Sequence, residues 1–351
     1  MFRPKYIITP DALNAISEIA GIKALVEKSR VLPLNEAQLR RQAIIRMTHT
    51  STSIEGNKLA EFQVDKVLSG MSVIADPKSI QEVKNYQDAL KEVEVLAAQS
   101  SPLTLEKILH LHSVLMHSLV EREKCGHLRP DTIYLVDDLG DGREVLRFEG
   151  PPAKKILYLL NGLLVWLAKS EKEELHPILR AGIFHVQFVT IHPFTDGNGR
   201  MARLLTNLIL FKSGWDFRKI LVLEDFYNRN RTNYYNALNF VQGDRYHEGE
   251  DLTPWLEYFI AGFLTEARKV AETITSIGFA PITDDNPQIL LDHDEIKLVD
   301  FITTTGRLTS KDTEEVLSIP KRTAQFKLKR LVEKGLIKTQ GNGPSTYYAL
   351  K

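Results

Sequence analysis

The chain has 351 residues, 43% hydrophobic and 26% charged, a composition that supports a substantial buried core in two or three domains. Its 45 Lys and Arg balance its 45 Asp and Glu, so no chain-wide field favours a nucleic-acid partner. The single cysteine, Cys125, excludes an internal disulfide framework and most thiolate metal sites. The opening residues lack an apolar signal core, and no apolar run is long enough to span a bilayer. We therefore expect a soluble cytoplasmic protein that does not contact a membrane.

The elements predicted along residues 12–275 are mostly helices, because apolar residues recur with a period near 3.6. Amphipathic helices are predicted over 79–99 and 104–119, and a further helix from His176-Pro177 to about 191. Between them, residues 131–148 contain two short β-type runs around a Gly/Asp turn, which predicts a hairpin. The fold class expected is mainly α, an all-helical core with one β-hairpin.

The C-terminal part of the chain has a different pattern. Residues 276–290 are rich in turn-forming residues and predict a linker. Residues 291–351 predict three short helices followed by two strands, which is typical of a winged helix-turn-helix. The stretch 319–330 carries five cations and no acid, so DNA binding through this module is an open alternative to protein docking.

The stretch "TIHPFTDGNGRMARLL" (190–205) concentrates glycine, charge and a histidine. A dinucleotide fingerprint would need the strand to run straight into the first glycine, yet "HPFTD" intervenes and no βαβ alternation surrounds it. No P-loop motif occurs in the chain. A zinc site would use His176, His185 and His192, but no H-E-x-x-H pattern or cysteine pair accompanies them, so ordinary helix histidines are expected at 176 and 185.

A phosphate cradle explains this stretch better than a simple turn does. If Asp196 capped a helix beginning near Gly199, two arginines would lie in the first turn, where the helix dipole disfavours cations. A bound anion removes that conflict, since the backbone N–H groups of Gly197, Asn198 and Gly199 can form an anion-binding nest. Arg200 and Arg203 can then bind phosphates, while the Asp196 carboxylate can hold Mg²⁺ and His192 can act as a general base.

These residues resemble a known signature. "HPFTDGNGR" followed by Arg203 matches H-P-F-x-[DE]-G-N-G-R-x-x-R of the Fic family, whose members are mostly AMP transferases. Further similarity covers roughly residues 40–260, including "EVKNYQDAL", "CGHLR", the hairpin and "NRTNYYNAL". Doc-like phosphotransferases of this family typically carry lysine in place of the second loop glycine. Gly199 is present here, which favours AMP transfer.

The resemblance implies ATP as the substrate, Mg²⁺ as the metal and a Ser, Thr or Tyr hydroxyl of a target protein as the acceptor. His192 would be the catalytic base, Asp196 the metal ligand, and Phe194 a residue that packs inward. Asn198 would contact phosphate by side chain as well as by backbone. The hairpin would be the flap that holds the target segment. The residues expected to contact the nucleotide are Gly197, Asn198, Gly199, Arg200, Met201, Ala202, Arg203, Val145, Leu146, Tyr234, Tyr235 and Gln242. Ordinary helix packing of one of the two tyrosines is an open alternative.

A second motif predicts that the activity is restrained. "STSIEGN" (51–57) matches the family's inhibitory pattern [ST]-x-x-x-E-[GN] through Ser51, Glu55 and Gly56. Glu55 is expected to pair with Arg203 and so to occupy the position of the γ-phosphate. The expected organisation is an N-terminal helical region (1–97) with an inhibitory helix at about 44–57, a Fic core (98–275), the linker and the winged helix.

Other functions remain alternatives at this point. The chain could be a DNA-binding regulator whose Fic core senses ATP, or an enzyme that removes AMP from a modified protein. Self-association into a homo-oligomer is also left open, and the identity of the target cannot be predicted from the sequence.

Overall fold

A computed structural model of the chain describes residues 2–29, 31, 33–138, 144–278, 291–341, 343 and 346–351. Most of the predicted linker, and the turn of the predicted hairpin, lie outside the described residues. The mainly α prediction is confirmed. The helices are α1 Pro10–Lys28, α2 Pro33–Ile54, α3 Glu61–Leu68, α4 Pro77–Ala98, α5 Leu105–Leu115, α6 Ala153–Lys172, α7 Pro177–Ile191, α8 Asn198–Lys212, α9 Glu224–Arg229, α10 Arg231–Gln242, α11 Thr253–Gly278, α12 His293–Thr305, α13 Ser310–Leu317 and α14 Lys321–Glu333.

Two short antiparallel sheets accompany the helices: β1 Tyr134–Asp138 pairs with β2 Glu144–Glu149, and β3 Ile337–Gln340 pairs with β4 Tyr347–Leu350. In the first hairpin the register shifts between Leu135 and Val136, so that Arg147 is an extra residue on β2. The hairpin predicted over 131–148 is thus present. None of the helices in the described ranges has the length and apolar composition needed to cross a membrane.

The main core is built around α7 and α8, which pack on each other and are buried along almost their whole length. Helices with apolar residues on all sides belong inside a domain, and here they are enclosed by α4, α5, α6, α10 and α11. The N-terminal helix α1 contributes Ile16 and Ile19 to the same hydrophobic cluster, where α11 contributes Ile274. Residues 1–97 and 98–275 therefore share one hydrophobic core. The predicted boundary between them was drawn from sequence motifs and stays a prediction.

The C-terminal module of residues 291–351 consists of α12, α13, α14 and the β3–β4 pair. Leu308 also bridges to Tyr348 of β4. These are the elements that a winged helix requires, although the assignment to that class stays a prediction. The module has its own apolar cluster, which includes Leu298, Ile302 and Leu328 and also Ala37 of α2. The module is therefore packed directly against α2, the helix that leads to the predicted inhibitory motif.

Candidate active site

The loop between α7 and α8 places the residues of the predicted signature at the junction of the two buried helices. His192 ends α7 in a left-handed conformation (φ 49°), and Gly197 precedes α8 in the same region (φ 82°). A left-handed residue stops a helix and turns the chain sharply. His192 and the first turn of α8 consequently flank one short loop.

The His192 ring is held in one orientation. Its Nδ1 lies 3.2 Å from the carbonyl oxygen of Val189, so Nδ1–H donates to that oxygen and Nε2 keeps its lone pair. Burial lowers the pKa of His192 to about 4, and the nearby Arg129 charge also lowers it. The imidazole is therefore neutral at pH 7 and can accept a proton at Nε2.

Asn198 and Phe194 hold the loop together. The Asn198 side chain accepts from the Phe194 N–H (2.9 Å) and donates to the Phe194 carbonyl (2.8 Å), and it is almost fully buried. Both polar atoms of this side chain bind the loop backbone, and its expected contact with phosphate stays a prediction. Phe194 is completely buried, in agreement with the expectation that it packs inward.

His112 of α5 supports the loop through contacts with Phe194 and Asp196, and no sequence motif singled it out. Its ring stacks on Phe194 with centroids 3.7 Å apart. Its Nδ1 accepts from the Gly126 N–H (2.9 Å), so its Nε2–H donates to the Asp196 carbonyl (3.1 Å). Burial lowers the pKa of His112 to about 4, which keeps this neutral tautomer. The signal in the sequence was weak, since a lone histidine on an amphipathic helix is usually exposed.

Arg129 of the "CGHLR" segment joins the hairpin to His192. Its guanidinium donates to the carbonyls of His192 (2.7 Å), Pro151 (2.7 Å) and Asp131. One side chain thus ties the residues before β1 and after β2 to the C-terminal end of α7. Cys125 lies nearby, where burial raises the pKa of its thiol, and this environment is unsuited to a nucleophile.

The first turn of α8 has the features of an anion site. The N–H groups of the first residues of a helix have no intrahelical partner and carry the positive end of the dipole. A Cβ on Gly199 would lie 2.4 Å from a Glu55 carboxylate oxygen and 3.2 Å from Arg203 Nη1. Arg203 is 2% exposed, and its Nη1 has no hydrogen-bond partner within the described part of the chain. An unpartnered guanidinium nitrogen thus lies beside a space that glycine leaves free of a side chain and that the Glu55 carboxylate enters.

The predicted inhibitory residues surround the same arginine. Arg203 donates from Nε to Ser51 Oγ (2.7 Å), and from Nη2 to the Ser51 carbonyl (2.9 Å) and to Glu55 Oε1 (2.8 Å). Burial works to lower the pKa of Arg203, but the Glu55 charge opposes it and the pKa of Arg203 is raised overall, so the guanidinium is charged. The helix predicted at about 44–57 is longer than expected, since α2 begins at Pro33, and Glu55 and Gly56 (φ 97°) lie in the turn directly after it.

Arg200 is held between two carboxylates. It forms ion pairs with Glu82 of α4 and, at 3.1 Å, with Asp196 Oδ1. The expected cap is corrected, because α8 begins at Asn198 and Asp196 Oδ1 accepts from the Gly197 N–H rather than from the first turn. The Asp196 side chain is 51% exposed. No group of three or more His, Cys, Asp or Glu side chains within the described ranges is arranged to hold a metal alone.

Several residues expected to contact the nucleotide are inside the core. Tyr234 is 1% exposed and its hydroxyl lies 3.0 Å from His185 Nε2, so it packs within the protein and does not face a ligand. Met201 and Ala202 are fully buried, and the Met201 N–H donates to the Gly197 carbonyl (2.9 Å). All three side chains are thus packed in the core, and their expected contacts with the nucleotide stay predictions.

Other predicted contacts remain near the site. Tyr235 is partly exposed, with its hydroxyl 3.4 Å from the Ile54 carbonyl and the Arg147 guanidinium 5.2 Å from its ring centre. Gln242 is buried and donates to Thr190 Oγ1 (3.2 Å). Val145 and Leu146 are about half exposed on β2. Tyr235, Val145 and Leu146 therefore stay candidates, whereas Gln242 has a partner inside the protein.

The alternative zinc ligands are not brought together by the fold. His176 caps α7 by accepting from the Ile178 N–H (3.3 Å). His185 is fully buried between Thr206 (2.9 Å) and Tyr234 (3.0 Å). Both are structural histidines, as the absence of a metal motif suggested.

Comparison with known proteins agrees with this geometry. Residues 102–210 match the model of the Fic/DOC family. A Nematostella vectensis protein named protein adenylyltransferase Fic is 31% identical over 271 residues, which cover 75% of this chain and 56% of that protein. A Drosophila virilis protein of the same name is 28% identical over 260 residues, covering 71% and 48% respectively. The chain thus spans about half the length of the curated relatives it matches.

A similar fold is also known from a solved structure. A Fic family protein from Desulfovibrio desulfuricans superposes with a TM-score of 0.64 at 27% identity, and the match covers 100% of this chain and 98% of that one. The similarity extends through the C-terminal module as well as the core. Residues 102–210, which carry the signature loop and the buried Arg203, therefore form a Fic/DOC domain, and the chain around them is similar to these relatives.

Proposed function

We propose that this chain is a protein adenylyltransferase, which transfers AMP from ATP to a Ser, Thr or Tyr hydroxyl of a target protein and which Glu55 restrains. The observation that carries the proposal is the buried Arg203, whose Nη1 lies unpartnered at the Gly199 opening while Glu55 takes the adjacent nitrogen. Glu55 balances the Arg203 charge in this structure, and the unpartnered Nη1 can in addition donate to an anion such as a phosphate oxygen. The names of the similar proteins support ATP as the source of that anion.

In the proposed reaction His192 is the general base. The target hydroxyl loses its proton to His192 Nε2 as its oxygen attacks the α-phosphorus of ATP. A new P–O bond forms, the bond to the β-phosphate oxygen breaks, and pyrophosphate leaves. The hydrogen bond from Nδ1 to Val189 keeps the accepting nitrogen free of a proton before the reaction.

The first turn of α8 would hold the triphosphate. The free N–H groups of this turn, together with Arg203, offer positive charge to the phosphate oxygens. Asp196 suits Mg²⁺, because its carboxylate is half exposed and Mg²⁺ usually takes one or two carboxylates together with phosphate oxygens. The ion would supply charge neutralisation to the phosphates when bound.

Glu55 would restrain the enzyme by competition for this turn. Its carboxylate oxygen lies where a Cβ on Gly199 would come within 2.4 Å, so it fills the space that a phosphate needs. The carboxylate also repels phosphate charge. A nucleotide that avoids Glu55 has its α-phosphorus out of line with His192, and misplacement of about 1 Å can cost about 100-fold in rate.

The test is labelling with ATP that carries the label on its α-phosphate. We expect Glu55→Gly to incorporate label, into itself and into lysate proteins, about 100-fold faster than the wild type. Glu55→Gly,His192→Ala should lose that gain by at least about 100-fold, since the general base is gone. Glu121→Gly, which changes an exposed glutamate that pairs with Lys124, is the matched control and should behave as wild type. Equal labelling of wild type and Glu55→Gly would reject the restraint, and no labelling by either would reject the transfer.

The same experiment addresses removal of AMP. Labelled Glu55→Gly protein mixed with unlabelled wild type would lose label if the restrained form hydrolyses the AMP ester. A stable label excludes that alternative under these conditions.

The DNA-binding alternative receives less support from the C-terminal module. Of the five cations in 319–330, Lys327 pairs with Asp292 and Asp294 (3.0 Å each), and Arg330 pairs with Glu295 (3.2 Å). These two side chains are engaged inside the module, which leaves Lys321, Arg322 and Lys329 on the exposed surface. We therefore propose that this module docks a protein.

A further inference from the structure

Glu82 connects the turn that carries Glu55 to Arg200, in the first turn of α8. Glu82 belongs to α4, and its side chain is 14% exposed. One carboxylate oxygen, Oε1, accepts from Arg200 Nη1. Arg200 is itself 5% exposed, so this ion pair lies almost wholly inside the protein.

The other oxygen of the same carboxylate is held by Asn57. Asn57 Nδ2 donates to Glu82 Oε2 (2.8 Å) and to the Ser79 carbonyl (3.0 Å), and Asn57 Oδ1 accepts from the Leu59 N–H (3.0 Å). Asn57 comes two residues after Glu55, and its own N–H donates to the Thr52 carbonyl at the end of α2 (3.1 Å). The turn that carries Glu55 is thereby hydrogen-bonded to the carboxylate that holds Arg200.

The Arg200 charge favours the ionised form of the buried Glu82 carboxyl. Burial raises the pKa of Glu82, and the Glu55 and Asp196 charges act in the same direction. The Arg200 charge and the Asn57 hydrogen bond oppose that rise. A buried ion pair contributes little net stability compared with apolar packing, so its value lies more in fixing a geometry than in holding the fold.

We propose that Glu82 is a positioning residue, which orients Arg200 toward the phosphates, and that Asn57 couples this orientation to the inhibitory turn. The segment of residues 51–57 then contacts both arginines of α8. It reaches Arg203 directly through Glu55, and Arg200 through Asn57 and Glu82. This inference rests on the proposed function, because it takes Arg200 as a phosphate ligand.

The geometry explains why Arg200 needs such a partner. Its Nη2 lies 3.1 Å from Asp196, the candidate Mg²⁺ ligand, and its Nε is buried without a partner in the residues described. Without Glu82, the guanidinium would pair with Asp196 alone and compete with Mg²⁺ for that carboxylate. With Glu82 in place, the guanidinium plane stays fixed when Asp196 is engaged elsewhere.

The test is made in the Glu55→Gly protein, where nucleotide binding is unobstructed. Glu82→Gln preserves shape and removes charge, and we expect the Kd for Mg-ATP, measured by calorimetry, to rise about tenfold (about 1.4 kcal/mol). The KM for ATP should rise similarly while kcat changes less than about twofold. Glu94→Gln is the matched control, because Glu94 lies on the same helix α4 and pairs with Lys219 (2.9 Å) away from the loop. It should leave the Kd unchanged.

Asn57→Ala provides a second variant that keeps the Glu82–Arg200 pair. We expect a smaller rise in the Kd than with Glu82→Gln, and no further rise when the two changes are combined, because both act through one carboxylate. An unchanged Kd in Glu82→Gln, or additive effects in the double variant, would overturn the inference. Thermal unfolding of each variant separates a binding defect from a folding defect.

Failure of this inference can be told from failure of the proposed function. If Glu55→Gly binds Mg-ATP without transferring label, the transfer is wrong and the binding series still decides the role of Glu82. If Glu55→Gly transfers label and Glu82→Gln binds as tightly as its parent, the role of Glu82 is wrong and the transfer stands.

Discussion

At the scale of single residues, the state of His192 can be tested by its titration. Burial holds the pKa of this imidazole at about 4, well below the ordinary value near 6.5. Between these two values the unfolded chain binds a proton that the folded site rejects, so the contribution of His192 to stability should increase as the pH rises from 4 to 6.5. We expect NMR titration of the His192 ring to show a neutral imidazole down to about pH 5.

The activity of the Glu55→Gly protein should follow the same titration. Because the neutral imidazole is the active form, protonation of His192 should not reduce kcat/KM until the pH approaches 4. The ring titration is decisive, since carboxylates such as Glu82 also protonate in the acid range. A His192 pKa near 6.5 would contradict the buried orientation described here.

Sequence patterns located the signature residues well, but they could not tell which side chains face a ligand and which bind the protein's own backbone. The signature placed His192, Asp196, Arg200 and Arg203 in one loop and helix, where the structure has them. It could not show that the Asn198 side chain binds the Phe194 backbone, since an asparagine in such a loop suits either role. His112 was invisible for a different reason, because its contact with Asp196 joins residues far apart in sequence.

At the scale of elements, the first turn of α8 can be tested through Gly199. Alanine suits a helix better than glycine by about 1 kcal/mol, so Gly199→Ala should keep the protein folded. In the Glu55→Gly protein the carboxylate is gone, but the methyl group would lie 3.2 Å from Arg203 Nη1, in the space proposed for a phosphate. We expect the Kd for Mg-ATP in the Glu55→Gly background to rise at least about tenfold, with little change in the unfolding temperature.

Gly21→Ala is the matched control for that variant. Gly21 lies within α1, and a Cβ there meets no atom within 4 Å. It should change neither nucleotide binding nor the loop. If Gly199→Ala binds Mg-ATP as tightly as its parent, the phosphates do not approach this turn, and the proposed placement of the triphosphate is wrong.

Helix periodicity predicted most elements and was least informative for α2. The expected helix from about 176 to 191 agrees with α7 at Pro177–Ile191, because its buried run and its His-Pro start are unambiguous. The inhibitory helix was expected at about 44–57, whereas α2 begins at Pro33. This helix contacts the main core along one side and the C-terminal module along another, so polar residues such as Thr48 and Thr52 are buried and the amphipathic pattern is lost.

At the scale of the whole molecule, α2 contacts the C-terminal module near its start and the candidate active site at its end. Near its start, Ala37 joins the apolar cluster of the module, and Arg40 pairs with Asp300 of α12 (3.0 Å). At the other end, Ser51 and Glu55 hold Arg203. A single helix thus carries both contacts, and its packing against the module should contribute to the position of the inhibitory turn.

Ala37→Glu tests this arrangement. Ala37 is 3% exposed among Leu298, Ile302 and Leu328, so a glutamate there would place an uncompensated charge in an apolar contact, at a cost of about 3 kcal/mol. We expect the module to separate from α2, and hydrogen exchange to lose protection over α12 and over residues 36–45 while α8 stays protected. Ala261→Glu, at an exposed position of α11, should leave all three regions unchanged. If α2 keeps its protection in Ala37→Glu, the main core alone positions the helix, and a partner that binds the module could not reach Glu55 by this route.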